Sequence, residues 1–403
     1  MVYYELKKVL GKIGSKISII LLTALLVSVC YSQTHEKSSN ICWVNEQEQF
    51  EIGHSSFIKL REARKEWTGV LDEDMLHRAL TFLKQHPSFH ERQGASQIRN
   101  LLNCSYQKNF KYTGDDYYNA EKINPSQLEE FYRNREKLMY RWLYDDSDPN
   151  NNGFYLYSDR EKKFLIDRIS DLEVPFQIES VVGWTQASEA IVAISTIGSI
   201  ILGYLLTVIF TDEYRWKTDT VLFSTPNGRK QVVKAKIKAG FLMTTVLYWC
   251  MVFLSGIYLL SYFGFDGANC CVQVFSEYWF SIYHLSFLQR YLLLISSNYL
   301  GWLFMAAIVM MLSAACKFSA FPVIVPALLN IVPMWLLGDF GFSSKVYTLL
   351  PSSLFTLFLN IDDLTVYTIG QFVITPGYIV IPLYASLTML FIRMAHCLFY
   401  HKK

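Results

Sequence analysis

The chain has 403 residues, is 52% hydrophobic and 16% aromatic, carries charge on 18% of its positions and has a formal net charge of +2. Soluble domains carry charge on about a quarter of their residues, and most of the charge here is confined to residues 32–185. An ordinary soluble enzyme is excluded. The pattern is that of a membrane protein with one large water-exposed insert.

Residues 2–17 predict an amphipathic helix. Tyr3, Leu6, Leu10 and Ile13 share one face, and Glu5, Lys8, Lys12 and Lys16 fall largely opposite. Such a helix lies in the headgroup plane with its lysines toward anionic lipid. The plainer alternative is a positive flank to the first span, which is placed at Ser18–Tyr31 and is extendable back through Ile13. The lysine-rich start and the apolar run Ile19–Val29 also resemble a secretory signal peptide. Cys30 invites a lipoprotein reading, but Val29 is large for a cleavage site and no small-x-small pattern precedes it. A retained span is the better expectation.

The insert, residues 32–188, reads as helical. Ser55–Trp67, Asp72–His86, Ser126–Tyr144 and Asp159–Leu172 carry apolar residues at three- and four-residue steps, the helical period. Asp72 stands where an N-cap belongs, and no strand-like alternation of any length is evident. Asp145–Gly153 is a polar loop lacking the spacing and distal Glu of a calcium loop. Pro87 separates His86 from His90 and breaks the helix that would align them. No Cys/His metal spacing occurs. Cys42 and Cys104 form a possible disulfide in an oxidising compartment, with free thiols as the alternative.

Five further spans follow at Glu189–Thr211, Ala239–Phe263, Leu288–Ala315, Phe321–Leu337 and Tyr378–Phe399, each near the ~20 residues that cross a bilayer. Pro322, Pro326 and Pro333 predict a kinked fifth span. Tyr347–Phe358 is apolar but too short to cross, so a re-entrant or interfacial helix is expected there. The expected fold class is thus an all-α polytopic membrane protein with six transmembrane helices and a helix-rich extracellular domain between the first and second. Lysine and arginine concentrate at the N-terminus, in 212–238, at Lys317 and at the C-terminus. By the positive-inside rule both termini and 212–238 are cytoplasmic, in a multi-pass protein of the cell membrane. The insert, 265–287 and 338–376 then face outside.

No catalytic constellation is evident and the spans carry almost no ionisable groups. Glu189 and Arg290 lie near the outer boundary. A charge at the bilayer centre costs about 2.5–3.5 kcal/mol or more and is kept only for a reason. No ion-coupling relay is visible, so energy for transport must come from elsewhere.

The 212–238 segment is where such energy would enter. Glu213, Tyr214, Arg215, Trp216 and Lys217 place aromatic area among charges, as protein interfaces do. Pro226 and Gly228 read as the turn ending this helix. Lys234, Lys236 and Lys238 then form a ladder. Flanking lysines with interfacial aromatics are the bland alternative.

Glu213, Thr218, Thr225-Pro226-Asn227-Gly228-Arg229 and Lys236 follow a pattern that resembles the permease subunits of type-2 ATP-binding-cassette (ABC) exporters. The chain departs from it at Arg215 and Lys217. Glu66–Leu71, Pro175-Phe176 and Gly183-Trp184 are similar to permeases of this type from Gram-positive bacteria. The resemblance implies a chain with no cofactor of its own, worked by separate ABC ATPase subunits that hold ATP and Mg. It also implies a second permease chain, identical or related, in contact with membrane lipid; nucleic acid is not a partner. Glu213, Tyr214, Arg215, Trp216, Thr218, Pro226, Arg229 and Lys236 would be the ATPase-coupling residues. The expected activity is export of an amphipathic substrate, an antimicrobial peptide or lipid-like drug. A membrane-anchored sensor whose insert binds an external ligand is the alternative, and an intramembrane enzyme is third.

Overall fold

In lipid a spanning backbone must satisfy its own hydrogen bonds, so long apolar runs fold as helices. The computed structural model describes residues 1–35, 43–51, 53–86, 88–106, 128–145, 156–215, 226–316, 320–339 and 344–400. The chain is mostly helical. Among the described residues five helices are long and apolar enough to cross a membrane: Ile13–His35, Val182–Thr211, Lys230–Phe263, Phe287–Ala315 and Gly377–Tyr400. The helix Ala320–Asp339 contains Pro326 and Pro333, and its apolar stretch Phe321–Pro333 is shorter than those five.

Phe287–Ala315 is the central post. It packs against Val182–Arg215, Pro226–Phe263, Ala320–Asp339 and Gly377–Tyr400. Its apolar window is 67% buried, against 28% for the first long helix and 22% for the last, so these two stand at the periphery. Gly198 permits the central contact: a Cβ there would lie 2.7 Å from the Trp302 ring. The Trp302 indole donates to the Ser195 carbonyl at 3.1 Å. Most hydroxyls in these helices fold back onto their own backbone. Thr207 donates to the Gly203 carbonyl and Thr244 to that of Gly240, both at 2.9 Å, which disposes of the polar atom locally.

The insert is built on four of the expected helices, His54–Lys65, Glu73–Gln85, Leu128–Tyr144 and Asp159–Ser170, with Ser96–Tyr106 added. Asp72 is the N-cap, its carboxylate accepting from the Met75 amide at 2.9 Å. The expectation of no strands fails in a limited way. Trp43–Val44 pairs with Phe50–Glu51, Gly69–Val70 with Gln177–Ile178, and Tyr367–Ile369 with Phe372–Ile374, all antiparallel. Runs of two or three residues are too short to show alternation.

The N-terminal helix is also shorter than expected. Val2–Leu10 ends at Gly11, and a separate helix opens at Ile13. The first long helix thereby takes over the residues that looked amphipathic at 13–17.

At the insert end of the bundle the segment after Ala320–Asp339 is seated on the central post. It forms only short turns of helix, Ser344–Tyr347 and Ser353–Thr356, and buries Leu354, Phe355 and Ile361. Arg290, 1% exposed, donates to the carbonyls of Phe358 at 2.9 Å and Leu359 at 3.1 Å, and to the Tyr278 hydroxyl at 2.7 Å. Asn298 donates to the Phe355 carbonyl at 3.0 Å. The guanidinium thus satisfies two buried carbonyls in the turn that follows the helix Ser353–Thr356.

Cys42 lies outside the described residues. Cys104 is a free thiol that donates to the Ser276 carbonyl at 3.6 Å. Burial pushes its pKa up to about 12, so it is held neutral. The polar loop 145–153 falls outside the described residues beyond Asp145, and of the His86/His90 pair only the His86 side chain is described. His86 hydrogen-bonds the Phe82 carbonyl at 2.9 Å, within its own helix.

Candidate functional site

The basic hairpin is formed by two helices that outrun the bilayer. Val182–Arg215 has 34 residues and Pro226–Phe263 has 38, or about 51 and 57 Å at 1.5 Å per residue, against about 30 Å of hydrocarbon. About 20 Å of the second helix precedes Ala239. Beyond Thr211 the first helix adds a single turn, residues 212–215, so the chain presents one short and one long helical stalk, each continuous with a long apolar helix.

Glu213, Tyr214 and Arg215 form the last turn of the first stalk. Trp216 and Thr218 lie outside the described residues. Pro226 and Arg229 belong to the first turn of the second stalk, and no side chain from 212 to 229 is described. Pro226 therefore opens a helix and Gly228 sits inside it, the reverse of the turn expected from sequence. Proline suits the first helical position, where its missing N–H costs nothing and its φ is already helical.

Of the residues expected to couple to an ATPase, Lys236 is the one whose side chain is described, and it does not face water. Its side chain is 0% exposed. The ammonium donates to Glu5 Oε2 at 2.9 Å and to the Ile209 carbonyl at 2.8 Å, and lies 5.9 Å from the Phe210 ring centroid. Lys230, Lys234 and Lys238 are exposed. Helical geometry explains the split: positions four apart share a face, and a step of two turns about 200° away. The ladder is thus an exposed stripe of three lysines with Lys236 on the opposite side.

Three elements meet at that ammonium. Glu5 comes from the helix Val2–Leu10, Ile209 from the first stalk and Lys236 from the second. Packing reinforces the node. Val9 and Val233 are buried, and the Phe210 ring meets that of Phe399 in the last helix at a 59° tilt, 5.1 Å between centroids. A charge pair buried this well is costly to break, so the node ties the three elements to one another. Sequence spacing puts Glu5 on the polar face with Lys8, Lys12 and Lys16, whereas in the structure its carboxylate turns to Lys236. The sequence signal for its real role was a lone carboxylate in a lysine-rich helix.

Among the described residues no group of three His, Cys, Asp or Glu could hold a metal ion. No family model, curated protein or solved structure matches the chain.

Proposed function

We propose that the chain is the membrane-spanning subunit of an ABC exporter, moved by a separate ATPase that docks on residues 212–229. The observation that carries this reading is the Glu5–Lys236–Ile209 node. It makes the two stalks and the N-terminal helix one rigid lever. A push on its tip is then delivered to the second and third membrane helices rather than absorbed by a flexible loop. Rigid-body displacement of packed helices is an established switching motion.

In this reading the helix Ala320–Asp339 is a sixth span, kinked at its prolines. Both termini and the lever are cytoplasmic, and the insert is extracellular in a protein of the cell membrane. A second permease chain completes the pathway, and ATP and Mg reside on the ATPase. The resemblance around Glu213, Thr218, Pro226 and Arg229 supports the assignment, as does the scarcity of ionisable groups in the spans. Apolar walls favour an amphipathic cargo, a membrane-active peptide or lipid-like molecule.

Glu213→Ala and Arg229→Ala test the reading directly. Each is expected to leave membrane insertion intact while uncoupling the partner's ATP hydrolysis from export. Wild-type transport in both variants would remove the assignment of these residues.

A further inference from the structure

Among the described residues, two of the places where the insert meets the rest of the chain differ in build. The first joint is backbone against backbone. A Cβ on Gly183 would fall 2.2 Å from the Gly264 carbonyl oxygen, so the second and third membrane helices touch at their insert ends. The Trp184 indole donates to the Asp266 carbonyl at 3.0 Å. The Gly267 amide donates to Glu179 Oε2 at 2.7 Å, and Arg61 pairs with Asp266 at 2.5 Å. Phe176, Ile178, Val181 and Trp184 here belong to the same apolar core as the membrane helices.

The second joint is centred on one carboxylate. Glu161, 4% exposed, stands in the first turn of Asp159–Ser170. Its Oε1 accepts from the Lys345 ammonium at 2.7 Å and from the Thr368 hydroxyl at 3.2 Å. Its Oε2 accepts from the Ser158 amide at 2.9 Å and hydroxyl at 3.1 Å. Arg160 adds a bond to the Gly370 carbonyl at 3.2 Å, at the tip of the hairpin that leads into the last helix. Beneath lies a small cluster that includes Leu138, Leu165, Ile169, Ile282, Leu364 and Val366, joined to the main core through the half-buried Phe280 and Tyr283. Satellite clusters with few buried apolar contacts are where local opening begins.

We infer that the Glu161–Lys345 contact is a releasable latch: the insert stays fixed to the second and third membrane helices and lets go of the 344–376 segment, freeing the lead into the last helix. Its use in transport rests on the exporter reading, whereas its place as the weaker of the two joints does not. In that use, release outside would accompany motion of the lever at the opposite end.

Hydrogen exchange of the full chain in lipid nanodiscs tests the latch without any partner. In the wild type, 159–170 and 367–374 should exchange faster than 177–187. Lys345→Met leaves Glu161 its Ser158 contacts, and Glu161→Gln keeps an acceptor for the Ser158 amide, so both spare the helix start. Each should raise exchange at least tenfold in 159–170 and 367–374 and leave 177–187 unchanged, with exposed Lys163→Glu as a silent control. Faster exchange at 177–187 than at the latch, or no change in either variant, would overturn the inference. A positive result in a chain that binds no ATPase would keep the latch and discard the exporter reading.

Discussion

Removing Glu5 should do more harm than removing Lys236, although the two form one ion pair. The reason is their unequal exposure, 17% for the Glu5 side chain and 0% for Lys236. Glu5→Ala takes the Glu5 carboxylate from an enclosed ammonium that still donates to the Ile209 carbonyl. Losing one member of a buried pair costs about 3–5 kcal/mol, and the partial exposure of Glu5 argues for the lower end. Lys236→Met takes away the charge that needs burial and leaves a carboxylate able to reach water. The loss is then of charge-assisted hydrogen bonds, roughly 1.5–3 kcal/mol. The N-terminal helix should open locally first. A cost of about 3 kcal/mol is about two powers of ten in its opening constant. Hydrogen exchange over residues 5–10 reads this. Glu5→Ala should speed exchange about a hundredfold, Lys236→Met clearly less, and the double variant should resemble Lys236→Met. Equal effects, or a larger effect from Lys236→Met, would refute the reasoning.

Other outcomes follow from the same geometry. Gly183→Leu should prevent the close approach to Gly264 and lower the melting temperature of the purified chain, whereas Leu at exposed Val174 should not. Arg290→Met should leave the carbonyls of Phe358 and Leu359 without their donor, at about 1–3 kcal/mol for each buried group. Faster proteolysis within 344–362 would report it. The latch should also depend on pH. Burial pushes the Glu161 carboxyl up, but the hydrogen bond and charge of Lys345 and the bonds from Ser158 outweigh it, and the net shift is down. Tyr157, itself pushed up chiefly by burial, and Asp363 face the same site. A depressed carboxylate stabilises the folded contact above the ordinary glutamate range and loses that contribution as pH falls through its lowered pKa. Exchange at 367–374, corrected for intrinsic rate, should therefore rise only below the usual range of glutamate titration, and Glu161→Gln should abolish that rise.

The membrane helices were legible because length and hydropathy are local. Ala239–Phe263 and Phe287–Ala315 end where the apolar runs end. Asp72 was legible because a cap acts within three residues. Pro226 was misjudged because a proline ends one helix and opens another with equal ease, and only the backbone on both sides decides. The helix Ser96–Tyr106 was missed although Ile98, Leu101, Leu102 and Ser105, all buried, keep helical spacing. Lys236 was half legible: its opposition to Lys234 and Lys238 is helical arithmetic, but its partner lies 231 residues away. Lys345 stands 184 residues from Glu161, a separation that no local pattern bridges. Both ion pairs therefore emerge only with the tertiary fold.

The central claim is that the chain is driven from its 212–229 tip by an ATPase it does not contain. The direct measurement is capture of the tagged chain from native membranes, with ATP hydrolysis assayed on the captured material. The account predicts a co-purifying ATPase subunit whose recovery falls at least tenfold with Glu213→Ala combined with Arg229→Ala, while the variant chain inserts normally. Capture of the intact chain with no ATPase, or with one indifferent to those substitutions, would contradict it.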